Sequence, residues 1–221
     1  MQDATRSVSF YCGSSDHGLF ARIARGLEKQ GYSINAGAMP QRLTTALWRH
    51  LGHMERNMFH MAGVGRQCDY VVDASVRGDA ICWITGESLA GRRWLKWSAE
   101  LQQYLNRRLF LGLSCFESHF SRYAPKAFYS RHLDAFHGEA NRLLSLVFYL
   151  NRLWKAEDGG ELVLYRGKED LQGVRIMPGW GTIVVFLSEQ FPHEVLPANR
   201  ERYSIAGWYR LNPSAFSYDQ P

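Results

Sequence analysis

At 221 residues the chain is long enough for one domain with its own core, and we read 1–221 as a single unit. Its 26 basic and 21 acidic residues leave a net charge of +5, dispersed with no Lys/Arg-rich run or stacking-aromatic stripe, so no nucleic-acid partner is expected. No apolar run could span a bilayer, Met1 to Arg6 has no signal-like apolar stretch, and Cys12, Cys68, Cys82 and Cys115 lack C-x-x-C spacing, which leads us to expect a cytoplasmic protein with no membrane partner, disulfide frame or zinc site.

The first half reads as a helical block over about 15–110. Ser15 or Asp16 can cap a helix carrying Leu19, Phe20, Ile23, Ala24 and Leu27 at helical spacing, with Gly31 as its stop. Tyr32 to Asn35 is a short strand. A second helix is predicted from about Gln41 to Met61, on Leu43, Leu47, Leu51, Met54 and Met58. Ala62 to Gly78 reads as a hairpin or a mobile loop, and Ala80 to Ile84 as a strand. A third helix, about Arg92 to Arg108, should bury Trp94, Trp97, Leu101 and Leu105.

From Cys115 the pattern changes to strands: Phe116–Tyr123, Phe128–Asp134, Leu143–Asn151, Leu162–Arg166, Val174–Met177, Thr182–Ser188, His193–Leu196 and Tyr203–Leu211. Asp158-Gly159-Gly160, Arg166-Gly167 and Pro178-Gly179-Trp180-Gly181 mark turns between them. The expected fold is mainly β with flanking helices. Its core, about 115–211, should be a sandwich or jelly-roll barrel.

The chemistry centres on His132-Leu133-Asp134, then His193, then Arg202. Two histidines and one carboxylate on one face of an octahedral ion leave adjacent positions open, the facial triad of non-haem Fe(II) oxygenases. An arginine in the same pocket is a fixed, always-charged fork for a carboxylate, which points to 2-oxoglutarate. Strand alternation puts His132 and Asp134 on one face. It also separates Leu143, Ser145, Val147 and Tyr149 from the greasier Leu144, Leu146, Phe148 and Leu150, which should meet the helices. On the last strand Arg202, Ser204, Ala206 and Trp208 share a face. Arg200 competes with Arg202, and spacing favours Arg202. His137 reads as loop or rim, His50, His53 and His60 as ordinary helix residues, and His17 and His119 carry no signal.

Pro192-His193-Glu194-Val195-Leu196-Pro197-Ala198, with Arg202-Tyr203 and Trp208-Tyr209, resembles the C-terminal core of the oxygen-sensing 2-oxoglutarate-dependent prolyl hydroxylases. Arg77-Gly78-Asp79-Ala80-Ile81-Cys82-Trp83-Ile84, Phe148-Tyr149-Leu150-Asn151 with Trp154, and Gly159-Gly160-Glu161-Leu162 are similar to further motifs of that family. The resemblance covers roughly residues 60 to 210, and the short chain looks more like the bacterial members.

The resemblance implies a double-stranded β-helix core, with Fe(II) on His132, Asp134 and His193 as the catalytic centre. It implies 2-oxoglutarate and O2 as co-substrates, with ascorbate as an accessory reductant. Arg202 and Tyr149 would bind 2-oxoglutarate, with Tyr123 and Leu162 lining its pocket. Arg77, Asp79, Arg142 and Trp208 would lie near the mouth and meet the substrate. The implied activity is prolyl 4-hydroxylation of a cytoplasmic protein, with 2-oxoglutarate converted to succinate and CO2. Since the family's bacterial members act on elongation factor Tu, its switch loop is the first candidate. Ala62–Gly78 would order over that loop, and Arg66, Arg77 and Arg142 would give the mouth a positive field. Two alternatives stay open: a 2-oxoglutarate oxygenase with another substrate, and a non-catalytic sensor or binding module of the same fold.

Overall fold

The protein is described by a computed structural model over residues 14–63, 73, 75–135 and 142–211, of which 14 and 15 are placed in backbone only. His137, Arg66 and most of the expected Ala62–Gly78 loop lie outside these residues. Helix α1 is Ser14–Gln30, α2 Gln41–His53 and α3 Leu89–Leu109. The strands are β1 Tyr32–Asn35, β2 His60–Met61, β3 Asp79–Trp83, β4 Leu113–Tyr123, β5 Tyr129–His132, β6 Arg142–Tyr149, β7 Leu162–Leu164, β8 Val174–Ile176, β9 Ile183–Leu187, β10 His193–Val195 and β11 Arg202–Leu211.

Local chemistry sets the helix ends. Gly31 closes α1 with φ +77°, donating to Leu27 O at 3.0 Å. A Cβ there would sit 2.8 Å from the Phe191 ring, so both backbone and space call for glycine. Ser88 caps α3 by accepting from Gly91 N–H at 2.9 Å. Helix α2 is shorter than its apolar periodicity suggests. Met54 turns to extended backbone, a 3-10 turn follows at Arg56–Met58, and His60 and Met61 pair with Ile81 and Ala80. Sheet hydrogen bonds at the end of the predicted helix outweigh the periodicity of Met54 and Met58, and Met58 is left exposed.

The strands form two antiparallel sheets. The larger runs β1-β9-β6-β11-β4-β3-β2 and the smaller β5-β10-β7-β8. Helices cover the outer face of the larger sheet. There Leu144, Leu146, Phe148 and Leu150 join Ile23, Leu47, Trp94 and Leu101 in one buried cluster, as alternation on β6 requires. Trp94 stacks at 5.6 Å on both Trp97 and Phe148 while its Nε1–H donates to Ser118 Oγ at 2.9 Å, so a large apolar ring is buried with its one polar atom satisfied. A second cluster, including Tyr123, Tyr149, Leu162, Leu164 and Phe186, fills the space between the sheets. This is the double-stranded β-helix.

Pairing register lays the inner face out in rows. Asp79, Tyr123 and Arg202 form the first, followed by Ile81, Ser121, Ser204 and Tyr149. The third contains Trp83, His119, Ala206 and Val147, and the fourth Glu117, Trp208, Ser145 and Phe186. Small side chains at Ser204 and Ala206 keep the middle of this face low.

Candidate metal and co-substrate site

The low middle of the inner face opens into a cavity of about 760 Å³. His132, Asp134 and His193 line it, with ligand atoms all within 4.8 Å of one another. They come from separate elements. His132 ends β5, His193 starts β10, and the two are paired across the smaller sheet. Asp134 lies two residues past His132 but off the strand, in a bend. The expected strand to Asp134 therefore stops short. The carboxylate reaches across to the larger sheet instead, where Ser145 Oγ–H donates to Asp134 Oδ2 at 2.6 Å and lies 2.9 Å from Ser188 Oγ.

Backbone carbonyls orient both imidazoles. His132 Nδ1 is 2.8 Å from Ser130 O, and His193 Nδ1 is 3.1 Å from Phe191 O. Each Nδ1 is thereby the protonated nitrogen, and each Nε2 faces Asp134, at 3.6 Å from Oδ1 and 3.5 Å from Oδ2. Burial alone would raise the Asp134 carboxyl, but the two histidines and Ser145 overcome it and hold Asp134 ionised far below the usual carboxylate range. Burial, reinforced by His132, holds His193 down to about 4. The centre thus offers two imidazole Nε2 atoms and one ionised carboxylate, the donor set a divalent ion needs.

Arg202 is 1% exposed at the far end of the cavity, over the Tyr123 and Tyr149 rings at 4.9 and 5.1 Å. Its Nε–H donates to Gly160 O at 2.9 Å and Nη1 to Ser204 Oγ at 3.3 Å. Nη2 and the Tyr149 hydroxyl are buried without a hydrogen-bond partner. Two orphaned donors side by side, one of them charged, are costly unless a ligand satisfies them. Burial, against the pull of Arg202, pushes the Tyr149 phenol up to about 12, so it stays a donor. Leu162, buried on β7, supplies apolar wall beside this pair. Arg200, the competing arginine, is exposed and pairs with Asp158 at 3.4 Å.

The mouth differs from expectation. Asp79 is fully buried and does not line the cavity. It grips Arg77 bidentately at 2.6 and 3.1 Å, holding that guanidinium 4.6 Å above the Tyr129 ring, which stacks on His132 at 3.6 Å. Asp79 thus reaches the cavity only through Arg77. Arg77 and Arg142 line the cavity; Arg77 is matched by Asp79, whereas Arg142 pairs at 2.9 Å with a Glu117 carboxylate that it shares with Arg210, so of the two described arginines only Arg77 is paired charge for charge. Arg142 also lies 3.9 Å over the Trp208 ring. Sequence reasoning missed Ser145, Tyr129 and His119. Ser145 could be found from spacing, since it lies on the pocket-facing side of β6; Tyr129, an odd three residues before His132, and His119 show no such signal.

The donor set fits a six-coordinate first-row divalent ion, and the orphaned Arg202–Tyr149 pair fits a carboxylate held within the same cavity. A family model described as the 2OG-Fe(II) oxygenase superfamily matches residues 118–210. Egl nine homolog 1 of Rattus norvegicus is 29% identical over 147 residues, 61% of this chain and 41% of that protein. Prolyl hydroxylase EGLN3 of Homo sapiens is 30% identical over 149 residues, 61% of this chain and 59% of that protein. The chain therefore spans less than two thirds of these curated relatives. A crystal structure of a Pseudomonas putida prolyl-4-hydroxylase is 38% identical, with 88% of this chain and 100% of that one covered and a TM-score of 0.78. A Trichoplax adhaerens prolyl hydroxylase in complex with a hypoxia inducible factor peptide fragment is 26% identical, covering 93% and 94%, with a TM-score of 0.77. With the fold, the facial triad and the buried arginine in agreement with these likenesses, the chain belongs to the 2OG-Fe(II) oxygenase superfamily, in its prolyl hydroxylase branch.

Proposed function

We propose that this chain is a 2-oxoglutarate- and O2-dependent prolyl 4-hydroxylase acting on a cytoplasmic protein, with the switch loop of elongation factor Tu as first candidate. The observation that carries the reading is the pair of unpartnered buried donors, Arg202 Nη2 and Tyr149 Oη, in the fold that also presents an open His-Asp-His centre. A pure binding module has no need of both. The likeness to a bacterial prolyl-4-hydroxylase supports the prolyl substrate. Among the described residues no helix is long and apolar enough to cross a membrane, and Cys82 and Cys115 are free thiols, which supports a reducing compartment.

His132, Asp134 and His193 would hold Fe(II), and Arg202 with Tyr149 would hold the far carboxylate of 2-oxoglutarate. When bound, these two groups supply O2 activation, delivering one oxygen to a C–H bond and the other to succinate. The chain's own residues bind, orient and exclude water. Asp134, kept ionised by the histidines and Ser145, offers an anionic ligand throughout the physiological range. Arg202 gives its remaining N–H without losing its anchors on Gly160 and Ser204. The Asp79–Arg77–Tyr129 stack holds His132 from the mouth side. Leu162, Val195 and Val147 keep the cavity wall dry.

An X-Pro segment has no N–H at proline and favours extended backbone, so it can lie across the mouth without losing a hydrogen bond. The test is succinate release by purified protein with Fe(II), 2-oxoglutarate and O2, with and without elongation factor Tu, followed by peptide mass spectrometry. Stimulated release with one oxygen on a proline is expected. An oxygen on a proline of a different protein would reject the candidate alone. No oxygen on any proline of the host proteome would reject the hydroxylase reading.

A further inference from the structure

His119 is a buried histidine that the scheme above leaves unused. It is 1% exposed and lines the cavity. Its ring stands edge-on to Trp83 at 5.2 Å and tilted to Trp208 at 5.4 Å, so aromatic neighbours fix it on two sides. Its Nδ1 lies 3.1 Å from Ser121 Oγ, a contact in which either group can be the donor. Burial, opposed by Asp79 and reinforced by Arg77, holds its pKa down to about 4, so the ring is neutral with one N–H.

Its place in the sheet gives this ring a purpose. The triad lies on the side of β6 and β9, because Ser145 holds Asp134 and Phe186 packs at 4.8 Å against His193. Arg202 lies on β11, at the other end of the strands. His119 is on β4, in the row that runs Trp83, His119, Ala206, Val147. Trp83, at the β3 end of that row, is 51% exposed and also lines the cavity. In this row His119 lies between the exposed Trp83 and Ala206. The facing residues Ala206 and Val147 carry no hydrogen-bonding side chain.

We propose that His119 is a specificity-determining residue that donates its Nε2–H to the backbone carbonyl of the target prolyl residue. The inference rests on the prolyl hydroxylase reading above. Proline has no backbone N–H, so its carbonyl is the one backbone group of the target residue that can bond to the wall. With Ser121 taken as the donor to Nδ1, the tautomer is the one that leaves the proton on Nε2. A neutral donor suits this position. A cation there would face Arg77 and Arg142, and an apolar side chain would leave the buried carbonyl unpaired.

The test uses the full chain with Fe(II), 2-oxoglutarate and O2, and two synthetic pentapeptide libraries with a central proline and randomised neighbours. One carries the ordinary prolyl carbonyl and the other a thioamide, a weaker acceptor, at that position. Wild type should show a KM several-fold higher on the thioamide library. His119→Met should raise KM on the ordinary library about tenfold, the loss of one hydrogen bond, and should no longer distinguish the libraries. His119→Gln, whose amide can donate from the same place, should restore the distinction. Co(II) absorption and thermal melting of each variant report that the metal centre and fold are intact. Equal KM and undiminished discrimination in His119→Met would overturn the inference. Wild type that hydroxylates no proline in either library and none in the host proteome would instead overturn the reading on which it rests.

Discussion

Replacing Tyr149 by Phe should move stability and co-substrate affinity in opposite directions. The hydroxyl is fully buried and has no hydrogen-bond partner in the ligand-free protein. An unsatisfied buried hydroxyl costs about 1 kcal/mol or more, so its removal should stabilise the ligand-free protein by about that amount. For a chain of this size that raises Tm by about 2–4 °C. When 2-oxoglutarate binds, the same hydroxyl would donate to a carboxylate, a bond to a charged group worth about 1.5–3 kcal/mol. The variant should therefore bind 2-oxoglutarate about 10–150-fold more weakly, at about 1.4 kcal/mol per tenfold. Thermal melting of metal-free protein gives the first number. Anaerobic calorimetric titration of the Mn(II)-loaded protein gives the second. A variant that melts lower and binds 2-oxoglutarate as wild type does would show that the hydroxyl serves packing and that the anchor has been misread.

Arg202→Ala removes the charged partner of the same carboxylate and should raise the 2-oxoglutarate requirement at least about tenfold, since truncating one partner of a buried charge pair costs about 2–5 kcal/mol; a silent Arg202→Ala beside a damaging Arg200→Ala would mean the wrong arginine. Asp134→Ala should abolish turnover and weaken or eliminate metal binding in an anaerobic titration, whereas unchanged binding would contradict the triad. Ser145→Ala leaves the ligands in place but frees Asp134 Oδ2, and about 10–100-fold weaker metal binding is expected from comparable losses of supporting bonds. In the metal-free protein His119 and His193 stay neutral down to about pH 4, while in the unfolded chain they take up protons below about 6.5. The unfolded state then binds more protons, so stability should fall as pH drops from about 6.5 toward 4, by on the order of 1 kcal/mol per pH unit for each histidine. Asp134, depressed in the folded state, adds to the loss only below the ordinary carboxylate range. Urea melts across this window should show His119→Gln with a shallower dependence than wild type.

The parts of the site read from sequence are those tied to short-range periodicity. Alternation on β6 and β11 separated Leu144, Leu146, Phe148 and Ile205, which join the helix-side cluster, from Tyr149, Arg202, Ser204 and Trp208 on the inner face, because a buried sheet with two different faces tolerates no slip of register. Asp134 was found although its strand ends early, since two residues beyond His132 the chain is still close enough for its carboxylate to reach the centre. What sequence did not show depends on pairings between distant strands. Ser145 meets Asp134 only because β6 lies across from the bend after β5. His119 meets Trp83 and Trp208 through β3 and β11, and no local pattern marks that row. Asp79 reads like a mouth residue until β3 is laid on β4, which buries it beneath Arg77. The overrun of α2 has the same origin, because the partner of His60 and Met61 lies about twenty residues downstream.

The most direct test of the account follows both atoms of oxygen. Purified protein, Fe(II), 2-oxoglutarate and a proteome extract from a host lacking this chain are incubated under 18O2, and succinate and peptides are analysed by mass spectrometry. One labelled oxygen in succinate for each labelled oxygen on a proline is expected, with both signals lost in Asp134→Ala and restored toward wild type at high 2-oxoglutarate in Arg202→Ala. Labelled succinate with no labelled proline, or equal labelling by Asp134→Ala, would contradict it.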